Sequence, residues 1–501
     1  MEITARYNTW SWSEKYKFFF YRLIGYFSFL FVPVYTLKYI PFDQSFAFPM
    51  MCFYLLFLVG QWFLLGKEVD YRLKIFFRVN SNMDRIIYRL FLGLSLFIIY
   101  FNFLNLFPLK WINNMYWVTW ALIGAFFSWP TRGKIIKESV TTNFTEFKYL
   151  DSFEKTLLTL TFVMFIFSMP MIPAVESIEE LKFLIDPEGK ISSLFWSFLQ
   201  VNFHPFMKDF RLYNLAVSTF FYLIFLGTFL VTFYALLRFF FSRRLSLLGV
   251  FALLSSWKYS TILMSDLGAT IFSTYLLIWV WVMLWATRAL SYRTGLFLGL
   301  ITFLGALFNS SMFYLMLVQI PLFYFGLFKS NTLWFRKQFL KYSAFGYVLL
   351  ISVLIIDSSL NVTPFQGSSA PILRDLYELV VRKGFFALSI IGFFILTLKI
   401  IFKNTYYLKQ FHFNLNKFKE LIFFISLYLA FDYVFNMGGF KQYSYMWPIV
   451  FLSLIPLEFL FQKISRLRSS RNMIYLCYIL ICLLDSHFEE RVKIFIKIIQ
   501  N

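Results

Sequence analysis

The chain has 501 residues, of which 59% are hydrophobic, 72 are Phe and only 15% are charged. So few charges cannot coat the two or three domains of a water-soluble chain this long, so the composition predicts an all-α, polytopic membrane protein. The formal net charge of +21 does not imply a nucleic-acid partner, because Lys and Arg crowd the short gaps between apolar runs rather than one continuous face.

A spanning helix needs about 20 mostly apolar residues, and the chain offers about 15 such runs, with a range of about 13–15 because some are short. With a cytoplasmic N-terminus carrying Arg6, Lys15 and Lys17, spans at 20–40 and 47–66 return the chain to Lys67, Arg72, Lys74, Arg78 and Arg85. Spans at 88–107 and 112–129 lead to Arg132, Lys134, Lys137 and Lys148, again inside. A fifth span at 156–173 exits to a long outer segment, 174–215, and a sixth at 217–237 returns to Arg238, Arg243 and Arg244. Spans at 246–263 and 267–286 flank an outer turn at Ser265-Asp266, and the next pair turns at Asn309-Ser310-Ser311 before Lys329, Arg336, Lys337 and Lys341. Beyond a span at 342–356 lies a second long outer segment, 357–383. The last inner loops hold Lys403, Lys409, Lys417 and Lys419, then Lys463, Arg466, Arg468 and Arg471, around spans that include 443–461 and 473–485. Counting Lys and Arg in short loops sets orientation, and nearly every loop agrees. The last span is too short to assign a side to the C-terminal tail.

This pattern predicts a multi-pass protein of the inner (plasma) membrane whose first apolar run is an uncleaved helix. It divides into a four-helix extension, 1–150, and a core, 151–501, that owns both long outer segments. Membrane lipids are the expected partners of the basic loops. Cys52, Cys477 and Cys482 fall within apolar runs and read as buried free thiols. His204, His412 and His487 are too scattered for a metal site, and no phosphate-binding glycine loop or paired cysteine motif occurs, so neither metal nor cofactor is expected.

Segment 174–215 is acidic. Glu176, Glu179 and Glu180 have helical spacing that shares one face, and residues 191–203 form an aromatic-rich interfacial stretch ended by His204-Pro205. A carboxylate partly buried at such a surface has its pKa raised toward the range of a general base. Lys258, Asp266, Asp432 and Glu458 lie at or near membrane depth, where ionisable groups face a cavity or a partner. Arg374 and Lys441 face outward against the local charge bias and suit an anionic ligand such as lipid phosphate.

Residues 155–461 resemble the GT-C superfamily of polyprenyl-phosphate-sugar glycosyltransferases, particularly its protein mannosyltransferase and aminoarabinose transferase branch. The resemblance lies in the order: one span, an acidic outer loop ending in His204-Pro205, then Arg211-Leu212-Tyr213-Asn214 opening a span that ends in Arg238 and Arg243-Arg244, and a hairpin turning at Ser265-Asp266. Lys441-Gln442-Tyr443-Ser444-Tyr445-Met446-Trp447-Pro448 is similar to the family's Arg-Tyr…Pro element. Four extra spans precede the acidic loop, Glu176 or its neighbours stand where Asp is usual, and Lys441 replaces Arg.

The resemblance implies a GT-C-like core and an inverting, metal-independent transfer. Glu176, Glu179 or Glu180 would activate an acceptor, lipid or protein/glycan, to attack a sugar carried on polyprenyl phosphate at the outer face. His204, Arg211, Asp266, Arg374 and Lys441 would bind substrate, the basic groups stabilising the departing phosphate. A transporter or lipid flippase, or a non-catalytic membrane scaffold, is the alternative expectation.

Overall fold

A computed structural model describes positions 11–14, 16, 17 and 20, scattered positions within 55–70 and 213–220, residues 180, 203 and 426, and the stretches 82–104, 149–168, 222–257, 267–286, 292–308, 333–346, 348–349, 384–402, 411–423, 446–463 and 468–500. The fold is all-α: no strand occurs among the described residues. In chain order the helices are α1 (Asn82–Leu104), α2 (Ser152–Ser168), a π-helical turn (Tyr222–Leu226) running into α3 (Gly227–Leu237), α4 (Arg243–Ser255), α5 (Leu267–Ala286), α6 (Tyr292–Phe308), α7 (Leu333–Ser343), α8 (Gly384–Ile401), α9 (Met446–Lys463), α10 (Arg468–Asp485) and α11 (Phe488–Gln500). Among the described residues, no helix is long and apolar enough to cross a membrane.

Local chemistry explains the starts and stops. Asp151 caps α2 by accepting the Glu154 N–H at 2.7 Å, while the Glu154 carboxylate accepts the Asp151 N–H at 3.1 Å, a reciprocal box that satisfies two end donors. At the end of α4, Ser256 turns extended (φ −60°, ψ 116°). Pro456 sits inside α9 and cannot donate to Leu452, and the bare Cα of Gly392 in α8 leaves room for that freed carbonyl, so α8 and α9 pack at very close range.

The same device recurs. A side chain on Gly93 of α1 would overlap the Trp62 carbonyl, and one on Gly299 of α6 would collide with backbone around Ser343 and Gly346. Such close helix crossings need glycine, as in bundles packed without a hydrophobic drive between helices. Around these crossings α2 and α9 flank α4, α3 and α6 flank α5, and α1 rests on α3 and α6. Tyr88 of α1 meets Trp281 of α5 at 4.5 Å between ring centres, so 82–104 share the core of the later helices.

Two details differ from expectation, and a third concerns the tail, whose side the sequence left open. The basic stretch expected as a loop around Arg336, Lys337 and Lys341 is helical, as α7. Cys482 is buried as expected but Cys477 is exposed, on an outward stripe of α10 with Met473, Leu476, Leu480 and Leu484, whereas Cys52 lies outside the described residues. The C-terminal tail forms α11, which packs on α2 where Phe167 meets Phe488 and Phe495.

Candidate functional site: a charged cleft at one end of the bundle

Residues from four separate segments meet at one end. Asp151 and Glu154 open α2; Arg238 closes α3; Ser242, Arg243 and Arg244 lead into α4; His412 precedes a short helical stretch; Glu458, Gln462, Arg471, Asn472 and Tyr475 come from α9 and α10. They line a cleft of about 1150 Å³. Every one of these segments borders a loop expected on the cytoplasmic side.

Aromatic anchoring explains how the α3–α4 turn holds three arginines at the cleft. Phe240 packs on Phe451 at 5.0 Å and on Phe413 at 5.7 Å, and Phe241 on Phe451 at 5.2 Å. With those rings buried, Arg238, Arg243 and Arg244 remain at the polar end. Gln462 clamps the facing segment: its side-chain oxygen accepts the His412 N–H at 2.7 Å and its amide donates to the His412 carbonyl at 3.0 Å. The same amide donates to Glu458 at 2.9 Å, so the carboxylate expected at membrane depth has a partner.

Two ion pairs tie α2 to α4. Arg243 Nε donates to the buried Glu154 carboxylate at 2.6 Å, and Arg244 Nε donates to Asp151 at 2.8 Å. Burial pushes the Asp151 carboxyl up, but the Glu154 backbone N–H and the Arg244 guanidinium outweigh it and hold the group below its ordinary 3.8. The Glu154 bond outweighs burial at Arg243 and strengthens its positive charge. Four arginines thus face three carboxylates. Arg238 is exposed and forms no ion pair among the described residues, whereas Arg471 donates to the Phe461 carbonyl at 3.3 Å and its charge faces Glu458. The cleft carries surplus positive charge.

An apolar groove of about 440 Å³ runs beside the cleft between α2, α3 and α4. At the opposite end of α2 and α4, Arg491 of α11 is wholly buried. It donates to the Ser168 hydroxyl, to the Ser486 carbonyl at 2.9 Å and to the Ser255 carbonyl at 3.2 Å, with its guanidinium 5.6 Å from the Trp257 ring centre. The C-terminal tail therefore lies at the end opposite the charged cleft.

Of the sequence-derived candidates, Glu180 is helical and exposed. Glu176, Glu179, His204, Arg211, Asp266, Arg374 and Lys441 lie outside the described residues, as do Lys258 and Asp432. Among the described residues, no group of three His, Cys, Asp or Glu is placed to hold a metal ion. None of the family models, curated proteins or solved structures compared with the chain matches it.

Proposed function

We propose that the protein is a multi-pass inner-membrane glycosyltransferase with about 15 spans, moving a sugar from a polyprenyl-phosphate carrier to an acceptor at the outer face. The observation that carries the membrane placement is the chemistry of the outward faces. Phe162 of α2 is 62% exposed, Phe394 of α8 60% and Leu484 of α10 83%, each within an apolar stripe rather than a polar one. Water penalises such stripes and lipid does not. The exposed hydroxyls of Thr156, Thr159 and Thr397 turn back onto carbonyls of their own helices at 2.9 Å, as suits a surface without water.

The transfer itself is inferred from motif order. The sequence runs in the order the resemblance requires: the α2 run, the acidic segment, the α3 run ending at Arg238, then Arg243 and Arg244 before the next run. In the proposed step a carboxylate among Glu176, Glu179 and Glu180 takes the acceptor proton as the acceptor oxygen attacks the anomeric carbon. The bond to the lipid phosphate breaks, and Arg211, Arg374 or Lys441 stabilises the leaving phosphate. The test is donor consumption by protein in proteoliposomes. Loss of at least about 100-fold in Glu176→Gln, Glu179→Gln or Glu180→Gln is expected for a missing general base. Undiminished turnover in all three sinks the catalytic assignment; lipid binding without consumption indicates a flippase or a scaffold.

A further inference from the structure

We propose that the charged cleft and the adjoining groove form one binding site for an anionic phospholipid, its phosphate among the arginines and one acyl chain along the groove. This rests on the membrane placement above and not on sugar transfer, which is assigned to the opposite end.

The two cavities share three helices and lie one turn apart on each. Glu154 of α2 lines the cleft and Leu158 the groove; Arg243 of α4 lines the cleft and Leu247 the groove; Arg238 closes α3 at the cleft and Tyr234 lines the groove. Residues four apart on a helix occupy the same face, so the polar end of each helix continues directly into its apolar stretch. Tyr234 joins the two, lying close enough to Arg243 to interact with its charge.

Each part suits one half of an amphiphile. The surplus cation at Arg238, exposed at the cleft, offers charge-assisted donors for a phosphate. Basic pockets between helices on the cytoplasmic side are where anionic headgroups are held. The groove volume falls within the roughly 300–1,000 Å³ of ligand-sized pockets, and the exposed side chains of Leu158 and Phe162 leave it open toward the surrounding lipid. Gly227 fits the same role: a Cβ there would meet nothing within 4 Å, so the missing side chain is groove volume.

The test titrates full-length protein in neutral detergent with dioleoylphosphatidylglycerol, dioleoylphosphatidylcholine and inorganic phosphate, read by native mass spectrometry and by Tm. Phosphatidylglycerol is expected to bind at one site about tenfold more tightly than the zwitterionic lipid with identical chains, and far more tightly than phosphate alone. Arg238→Gln should abolish the preference for the anionic head. Gly227→Phe should weaken the long-chain lipid about tenfold and leave phosphate binding unchanged; Val231→Trp repeats that test if Gly227→Phe fails to fold. Equal affinity for both lipids, or phosphate binding as tightly as phosphatidylglycerol, overturns the proposal. Carbonate washing of membranes reads the placement separately: release sinks the membrane reading, whereas retention with equal lipid affinities sinks only this site.

Discussion

Arg491 offers the most demanding test of how the bundle is closed. Its guanidinium donates to the Ser486 carbonyl at 2.9 Å and, at the C-terminal end of α4 where the helix dipole favours a cation, to the carbonyls of Ser255 at 3.2 Å and Leu254 at 3.4 Å. Burial pulls its pKa down to about 10, so the group stays charged at neutral pH. Counting the bonds to the Ser168 hydroxyl and the Ser255 carbonyl, which cross to other helices, at about 1.5 kcal/mol each, the low end for a charged donor, Arg491→Ala costs about 3 kcal/mol. Because α11 packs on α2 and is anchored to the ends of α2 and α4 by this residue, the loss appears as local undocking. Hydrogen-exchange protection of the α11 amides should fall roughly 150-fold, since each 1.36 kcal/mol is a factor of ten. Arg491→Lys, with one compact head in place of the fork, should give an intermediate value. Protection in Arg491→Ala within about threefold of the parent, under conditions where exchange reports equilibrium opening, would refute the account.

The depressed Asp151 carboxyl contributes stability above its unfolded value of 3.8 and loses it as pH falls through the lower folded value. Asp151→Asn should therefore flatten the acid limb of Tm below about pH 4, and a double-mutant cycle with Arg244→Gln should return a coupling under about 1 kcal/mol, as the pair is partly exposed. Gly299→Leu should cost at least about 1–3 kcal/mol by forcing α6 off α7, read as a lower detergent-phase Tm. His487 adopts φ 44° between α10 and α11, so His487→Gly should raise α11 protection by about 1 kcal/mol unless its contact with Trp257 offsets the relief.

Much of the architecture was legible because helices here announce themselves by apolar length. The run expected at 267–286 is helical over the same residues as α5, and Arg238, Arg243 and Arg244 mark the turn they were expected to mark. Loop against helix was harder. Residues 333–343 carry enough cations to read as a gap, yet Phe339 and Leu340 pack on the core, and Gly295 admits the Phe339 backbone. The side of the tail was illegible because it depends on one buried arginine meeting two helix ends, Ser168 being 323 residues away in sequence.

The charged cleft was missed for a related reason. Acids stand out on the side expected to be poor in cations; Glu458 stands out by its expected depth, but Asp151 and Glu154 border a loop rich in Lys and Arg and do not. Their signal is the converse one: a carboxylate within a basic inner loop has cations to pair with, and pairing two of three leaves arginines over. Glu154 and Arg243 are 89 residues apart, so no local motif joins them. Once α2 and α4 lie side by side and parallel, however, their first turns share one end and their last turns the other. The first turns build the charged cleft; the last turns hold Arg491. Because the sequence continues from α2 toward the acidic segment, the helix that would hold a lipid at one end also leads to the residues proposed for transfer at the other. Lipid occupancy of the groove thus bears on the position of α2 itself. Donor consumption should respond to Gly227→Phe, and an unchanged rate would show the two ends to be independent.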